Sequence, residues 1–242
     1  MHLGLIGFGR LGRLLTRYLA QDFHVHVYDL NLNPAEVSAL GATPSTLEEA
    51  CAQPIVLPLV PMSAFESLMQ QIAGLLKPDS LIVDACSVKT LPVEWMLKHL
   101  PDSVSILGSH PMFGPDSAAE TLFGAKLVLC PVRVEPKRYQ EIKLYLEKHG
   151  IKLIETTPEE HDKQISKSLF LAHFLGRTLL EFGAHPLEID TKGYRRLMKI
   201  LLTVENDSLQ LFEDMYHFNP YAAETRQKFI QAMDQVVERL DT

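Results

Sequence analysis

His110 stands in GSHPMFGP, residues 108–115, where two prolines and two glycines surround one imidazole. Proline removes a backbone donor and glycine opens conformations closed to other residues, so this segment is expected to be a shaped loop. A histidine on it serves either a ligand or a local hydrogen bond. An imidazole changes charge near neutral pH, which suits it to take a proton from a reacting group. DACSVKTLP, residues 84–92, adds Ser87, a hydroxyl able to donate or accept, and Lys89, a cation for negative charge. Either could instead cap or solubilise a helix.

GFGRLG sets Gly7, Gly9 and Gly12 in GxGxxG spacing between an apolar run and a helical one. There the first two glycines allow a tight turn and close approach of a pyrophosphate, and the third allows close helix packing. The backbone of Phe8, Arg10 and Leu11 and the helix N-terminus would receive the negative charge. Asp29 ends HVHVYD, twenty residues beyond Gly9. Its carboxylate can accept adenosine ribose hydroxyls and would repel a ribose phosphate, and the following LNLN supplies no cation to pair with one. NAD is therefore favoured as cofactor. NADP stays open, because Arg10 or Arg13 could meet a phosphate and Asp29 could simply cap the next turn.

In the second half His173 and Arg177 are four residues apart, on one helix face suited to an anionic substrate. On a continuous ideal helix His161 lies about 120° away from His173. No histidine and carboxylate group has a zinc spacing, so no metal is expected. Cys51, Cys86 and Cys130 are widely spaced and lack a CxxC pair, which argues against a disulfide framework.

The elements that must position these residues alternate. HLGLIG, HVHVYD, the run at 53–60, SLIVDAC, VSILG, KLVLCPV and IKLIETT read as strands, with helical patterns after Gly9, over SAFESLMQQIAGLL and over PKRYQEIKLYLEKHG. Pro58 weakens the strand at 53–60 or marks its end. An α/β domain is expected over residues 1–155, a Rossmann-type doubly wound parallel sheet. An all-helical C-terminal domain is expected over 156–242. In it Thr157 and Pro158 open one helix, a second covers KGYRRLMKILLTVENDSLQLF, and Asn219 and Pro220 open a third. Helices of this length can bury one face against a second copy, so a homodimer through this domain is expected.

The chain has 242 residues, 46% hydrophobic and 22% charged, and a formal charge of −7. It can bury a core, and it shows no basic tract for nucleic acid, no export leader and no apolar run long enough for a membrane. A cytoplasmic location follows as an expectation.

GFGRLG, DACSVK, GSHPMFGP, EEHDKQISKSLFLAHFLGR and TKGYRRLMKILLTVEND together closely resemble the prephenate and arogenate dehydrogenases, especially the plant-like arogenate type. The resemblance runs from residue 3 to about residue 235. It implies an oxidoreductase of tyrosine biosynthesis acting on prephenate or arogenate, with a helical dimerisation domain. His110 falls at the catalytic histidine, Ser87 at the hydroxyl-binding serine and His173 at a substrate-facing histidine. Lys199 in GYRRLMKI stands where many prephenate enzymes carry a carboxylate-binding arginine, which keeps the charge and loses the bidentate fork.

Two other classes stay open. An NAD-dependent dehydrogenase of a small 3-hydroxy acid would use a helical-domain lysine, Lys163 or Lys167, as base. A nucleotide-responsive interaction protein would bind the dinucleotide without chemistry and would have no use for Ser87 and His110 together.

Overall fold

Strand β1, His2–Ile6, lies in the interior of an eight-stranded sheet, and its apolar residues Leu3, Leu5 and Ile6 are all buried. The computed structural model describes residues 1–241, the Thr203 side chain apart. The chain divides into two compact units, Met1–Pro158 and a second beginning at Glu159.

In the first unit the chain continues as α1, Arg10–Leu19; β2, His24–Tyr28; α2, Pro34–Ala39; β3, Thr43–Pro44; α3, Leu47–Cys51; and β4, Ile55–Pro58. Then follow α4, Met62–Ile72; β5, Leu81–Val83; α5, Thr90–His99; β6, Ser105–Pro111; β7, Lys126–Arg133; α6, Pro136–Lys148; and β8, Lys152–Glu155. The sheet order is β3-β2-β1-β4-β5-β6-β7-β8. The order reverses beside β1, so the carboxyl ends of β1 and β4 flank the crevice where open α/β sheets take their ligands. Gly4 admits α3 against the sheet: a Cβ there would lie 1.9 Å from the Ala50 carbonyl oxygen.

Three features depart from the sequence reading. The sheet is mixed, because β7 runs antiparallel to β6. No crossover helix separates these two strands, and a loop alone reverses the chain. The histidine segment, expected as a loop, is strand through Pro111, with Gly108 opposite Cys130 and His110 opposite Val128. Pairing with β7 overrides the loop-like composition, and Pro111 is tolerated because it ends the strand. Loop structure begins only at Met112, whose N–H closes the ladder on the Lys126 carbonyl at 2.9 Å. Short elements that escaped notice are α2, capped by Asn33, and α3, whose Thr46 and Glu49 form a capping box. Pro58 ends β4, and the next N–H, that of Leu59, donates to the Ile6 carbonyl at 2.6 Å.

The second unit is helical: α7, Pro158–Ile165; a π-helical turn, Ser166–Phe170; α8, Leu171–Glu181; α9, Lys192–Glu205; α10, Leu209–His217; and α11, Ala222–Leu240. The helix expected over 192–212 breaks at Asn206–Ser208. Ser208 there caps α10 by accepting from the Leu211 N–H at 3.1 Å. Asn219 accepts from the Tyr221 N–H at 2.9 Å, in the turn before α11. Gly176 brings α8 against α9, since a Cβ would lie 2.5 Å from a Val204 methyl. Phe170 stacks on Phe212, and Phe174 meets Phe229 edge-on, forming an aromatic core. Among the described residues no helix is long and apolar enough to cross a membrane.

Candidate active site

The GxGxxG turn joins β1 to α1. Gly7 has a φ of +109°, and a Cβ on it would stand 2.4 Å from the Leu59 carbonyl oxygen. A Cβ on Gly12 would stand 2.2 Å from the Gly7 carbonyl oxygen. Both glycines are therefore demanded by the protein's own packing. Gly9 is different: it is exposed, and a Cβ there meets nothing within 4 Å. Gly9 caps α1 without a side-chain hydrogen bond, so the helix's first N–H groups face outward with its positive dipole end. The open space at Gly9 is what a dinucleotide pyrophosphate would fill.

Asp29 sits beside this turn. Its Oδ2 accepts from the Phe8 N–H at 2.6 Å and its Oδ1 from the Asn31 N–H at 2.8 Å. The carboxylate thus clamps the glycine loop and also shapes the turn after β2, leaving lone pairs for ribose hydroxyls. Next to it a cavity of about 430 Å³ is lined by Phe8, Arg10, Arg13, Leu14, Arg17 and Glu36 among others. Arg13 pairs with Glu36 at 3.0 Å and Arg10 with Asp116 at 2.6 Å. Leu11, half-buried, follows in the first turn of α1.

Ser87 and His110 arise at the carboxyl ends of neighbouring strands, since β5 and β6 are parallel with Val83 opposite Leu107. Ser87 is half-buried on the bend after β5, and His110 is buried near the end of β6. Between them runs a polar network that sequence reasoning did not assemble. Lys89 donates to Asp84, and also to the Ser109 carbonyl at 2.5 Å. Asp84 accepts from the Ser109 N–H at 3.1 Å and the Cys86 N–H at 3.0 Å, and the Ser109 hydroxyl donates to the Asp84 carbonyl at 2.5 Å. Lys89 is thus satisfied internally. DACSVK carries Asp84 and Lys89 five residues apart, yet only the fold shows that both turn inward.

In the helical unit, His173 and Arg177 meet at Asp207, in the break between α9 and α10. Asp207 Oδ2 lies 3.6 Å from His173 Nε2, a charge contact longer than a hydrogen bond, and the Asp207 carbonyl accepts from Arg177. His173 Nδ1 and Arg177 Nε are buried without hydrogen-bond partners among the described residues. Burial pushes the His173 imidazole below its ordinary pKa, with Asp207 opposing and Arg177 adding to the shift. Asp207 went unnoticed in sequence because a continuous helix was expected there. Lys199 is exposed on α9, whereas Met198, Leu201 and Val204 face inward.

His161 is buried, with Nδ1 2.7 Å from Asp162 Oδ1, and the Asn219 amide donates to the Asp162 carbonyl at 3.0 Å. The π turn between His161 and His173 changes the helical repeat, so the ideal-helix angle between them does not apply. Lys163 pairs with Glu159 at 2.8 Å, and that hydrogen bond holds its ammonium above the ordinary value, the wrong direction for a base. Lys167 is exposed. Among the described residues no three His, Cys, Asp or Glu side chains gather in a metal-binding arrangement.

Residues 22–155 match the family model described as "Prephenate dehydrogenase, nucleotide-binding domain", and residues 178–242 match that described as "TYRAAT1-like, C-terminal domain". The chain is 28% identical over 250 residues to chloroplastic arogenate dehydrogenase 2 of Arabidopsis thaliana, covering 99% of this chain and 70% of that one. It is 29% identical over 250 residues to arogenate dehydrogenase 1 of the same plant, covering 99% of this chain but only 39% of that longer protein. The crystal structure of a prephenate dehydrogenase from A. aeolicus, in complex with hydroxyphenyl propionate and NAD+, shares the fold. Its TM-score is 0.77 at 19% identity, covering 99% of this chain and 90% of that one.

Proposed function

The chain belongs to the prephenate dehydrogenase family of NAD(P)-linked oxidoreductases, and we propose that it oxidises and decarboxylates arogenate or prephenate, with NAD as hydride acceptor. The observation that carries this reading is the placement of Ser87 and His110 at adjacent strand ends, with their neighbours Cys86 and Ser109 held by one buried network.

Bound oxidised nicotinamide supplies the hydride acceptor. His110 accepts the proton of the ring hydroxyl as the carbon-bound hydrogen leaves, and Ser87 orients the hydroxyl toward the imidazole. The ring carboxylate departs as carbon dioxide and the ring becomes aromatic, so the protein's work is alignment and the holding of negative charge. His173 and Arg177, each with a buried nitrogen lacking a hydrogen-bond partner among the described residues, are assigned to substrate carboxylate. Lys199 is assigned a supporting charge, on the family resemblance alone.

NAD is preferred over NADP because Asp29 stands at the ribose end and Glu36 neutralises Arg13 in the adjoining cavity. A ribose phosphate would meet two carboxylates there. Relatives support the cofactor class, the A. aeolicus enzyme having been solved with NAD+. Arogenate is preferred over prephenate because Asp207, a quarter exposed, offers a carboxylate to the ammonium that only arogenate carries.

The helical unit is assigned to homodimer formation. On α11, Ile230, Met233, Val237 and Leu240 form an exposed stripe at helical spacing. Cys51, Cys86 and Cys130 are buried thiols outside any disulfide among the described residues, which fits a reducing compartment, and a cytoplasmic location is proposed on that ground.

The deciding assay mixes purified protein with each acid and each cofactor and follows reduced nicotinamide and carbon dioxide. Equal yields of both, highest with arogenate and NAD, are expected. Absence of turnover in all four mixtures, from folded protein that binds cofactor, refutes the reaction. Asp207→Asn tests the side-chain reader: kcat/KM for arogenate should fall about 10- to 100-fold, the worth of one hydrogen bond to a charged group, with prephenate nearly unaffected. An equal fall for both acids removes Asp207 from that role.

A further inference from the structure

Lys89 and Asp84 have side chains with no solvent exposure at all. A cation so enclosed is closed to an anionic ligand, and its ammonium is already committed to Asp84 and the Ser109 carbonyl. We infer that the Asp84–Lys89 pair is a latch that positions the Ser87 hydroxyl against the His110 imidazole, an inference that rests on the reaction proposed above.

The argument is one of chain adjacency. Asp84 Oδ1 holds the Ser109 N–H, and Ser109 is the residue before His110. Asp84 Oδ2 holds the Cys86 N–H, and Cys86 is the residue before Ser87. Lys89 draws in the Ser109 carbonyl, which belongs to the peptide unit that carries His110. The Ser109 hydroxyl returns to the Asp84 carbonyl at 2.5 Å. One carboxylate and one ammonium therefore set the distance between two strand ends, and each anchored residue is the immediate neighbour of a reacting one.

Stability alone gives little reason for such a pair, since buried ion pairs are commonly replaced by apolar residues without loss. Geometry gives a better one. The Ser109 N–H bonds to a side chain, so the β6 backbone beside His110 is held from the β5 side as well as from β7. A proton acceptor needs this kind of restraint, because displacement by about 1 Å can lower a rate by about 100-fold. Asp84 and Lys89 touch no reacting group in this account. They are positioning residues.

The test is the double variant Asp84→Asn/Lys89→Met, which removes both charges together and keeps a carbonyl for the Ser109 N–H. The expected result is a folded protein with NAD affinity and KM within about threefold of the parent and kcat lower by about 100-fold. Its His110 ring signals in nitrogen-resolved NMR should be shifted or doubled. A kcat within threefold of the parent, or His110 signals unchanged, overturns the latch. If the variant does not fold, amide exchange of the parent decides: a Ser109 N–H as protected as the central strands supports the latch, and one exchanging as fast as residues 112–125 overturns it. The NMR and exchange measurements judge the latch even if the parent oxidises neither acid, which would refute the reaction separately.

Discussion

Replacing Gly9 by alanine separates a glycine kept for a ligand from glycines kept for the fold. Gly9 has φ −70° and ψ −164°, a backbone that alanine adopts without strain, and the added methyl meets no atom within 4 Å. With the folded state unharmed, the smaller conformational freedom of the unfolded chain should stabilise the protein by roughly 0.4–1 kcal/mol. For a unit of this size that is about 1–4 °C in Tm. The same methyl projects where the pyrophosphate must approach the first N–H groups of α1. Loss of one hydrogen bond to a charged group costs about 1.5–3 kcal/mol, or about 10- to 100-fold in Kd for NAD. Gly12→Ala is the contrast: its methyl would stand 2.2 Å from the Gly7 carbonyl oxygen, so the helix or the turn must shift, and both Tm and NAD affinity should fall. Calorimetric melting without ligand and NAD titration by fluorescence, on the same preparations, read the two quantities. A Gly9→Ala protein that binds NAD like the parent would refute the assignment of this turn to the pyrophosphate. One that melts well below the parent would refute the claim that Gly9 is structurally free.

Three further outcomes are expected. His110→Ala should keep Tm and NAD affinity while kcat drops about 100- to 10,000-fold, and its rate profile should lose the ionisation that switches the parent on as the neutral imidazole appears; stopped-flow rates across pH 5–9 measure it, and undiminished turnover removes His110 from the mechanism. Because burial lowers the His173 pKa, the unfolded chain binds more protons than the folded one below the ordinary value of about 6.5, so stability declines as pH falls through that value. His173→Gln should flatten this acid-side slope in urea melts at pH 5–7, and an unchanged slope contradicts the burial argument. Met233→Asp with Val237→Asp places two charges on the exposed stripe of α11 and should convert a dimer to monomers in sedimentation; a mass unchanged from a dimeric parent would place the interface elsewhere.

Much of this molecule was legible in one dimension because local physics dictates it. The apolar run HLGLI reads as a buried strand, and Gly7 and Gly12 stand where an added Cβ would collide with backbone, while Gly9 leaves open space before the first turn of the helix. Asp29 could be placed at a strand end from its distance to the turn. The types at Ser87, His110 and His173 suggest a chemistry through their motif resemblance. What remained hidden depends on partners distant in the chain. GSHP looked like loop because its composition opposes regular structure, and only the antiparallel β7 supplies the pairing that makes it strand. Lys89 looked like a cation for a ligand, since nothing in its own neighbourhood reveals that it is enclosed between Asp84 and Ser109. Asp207 passed as a residue within a helix until Ser208 capped a new one beside it and left its carboxylate next to His173. Periodicity and propensity act over a few residues, whereas burial of a charge and the reversal of a strand are decided by what the whole chain brings alongside.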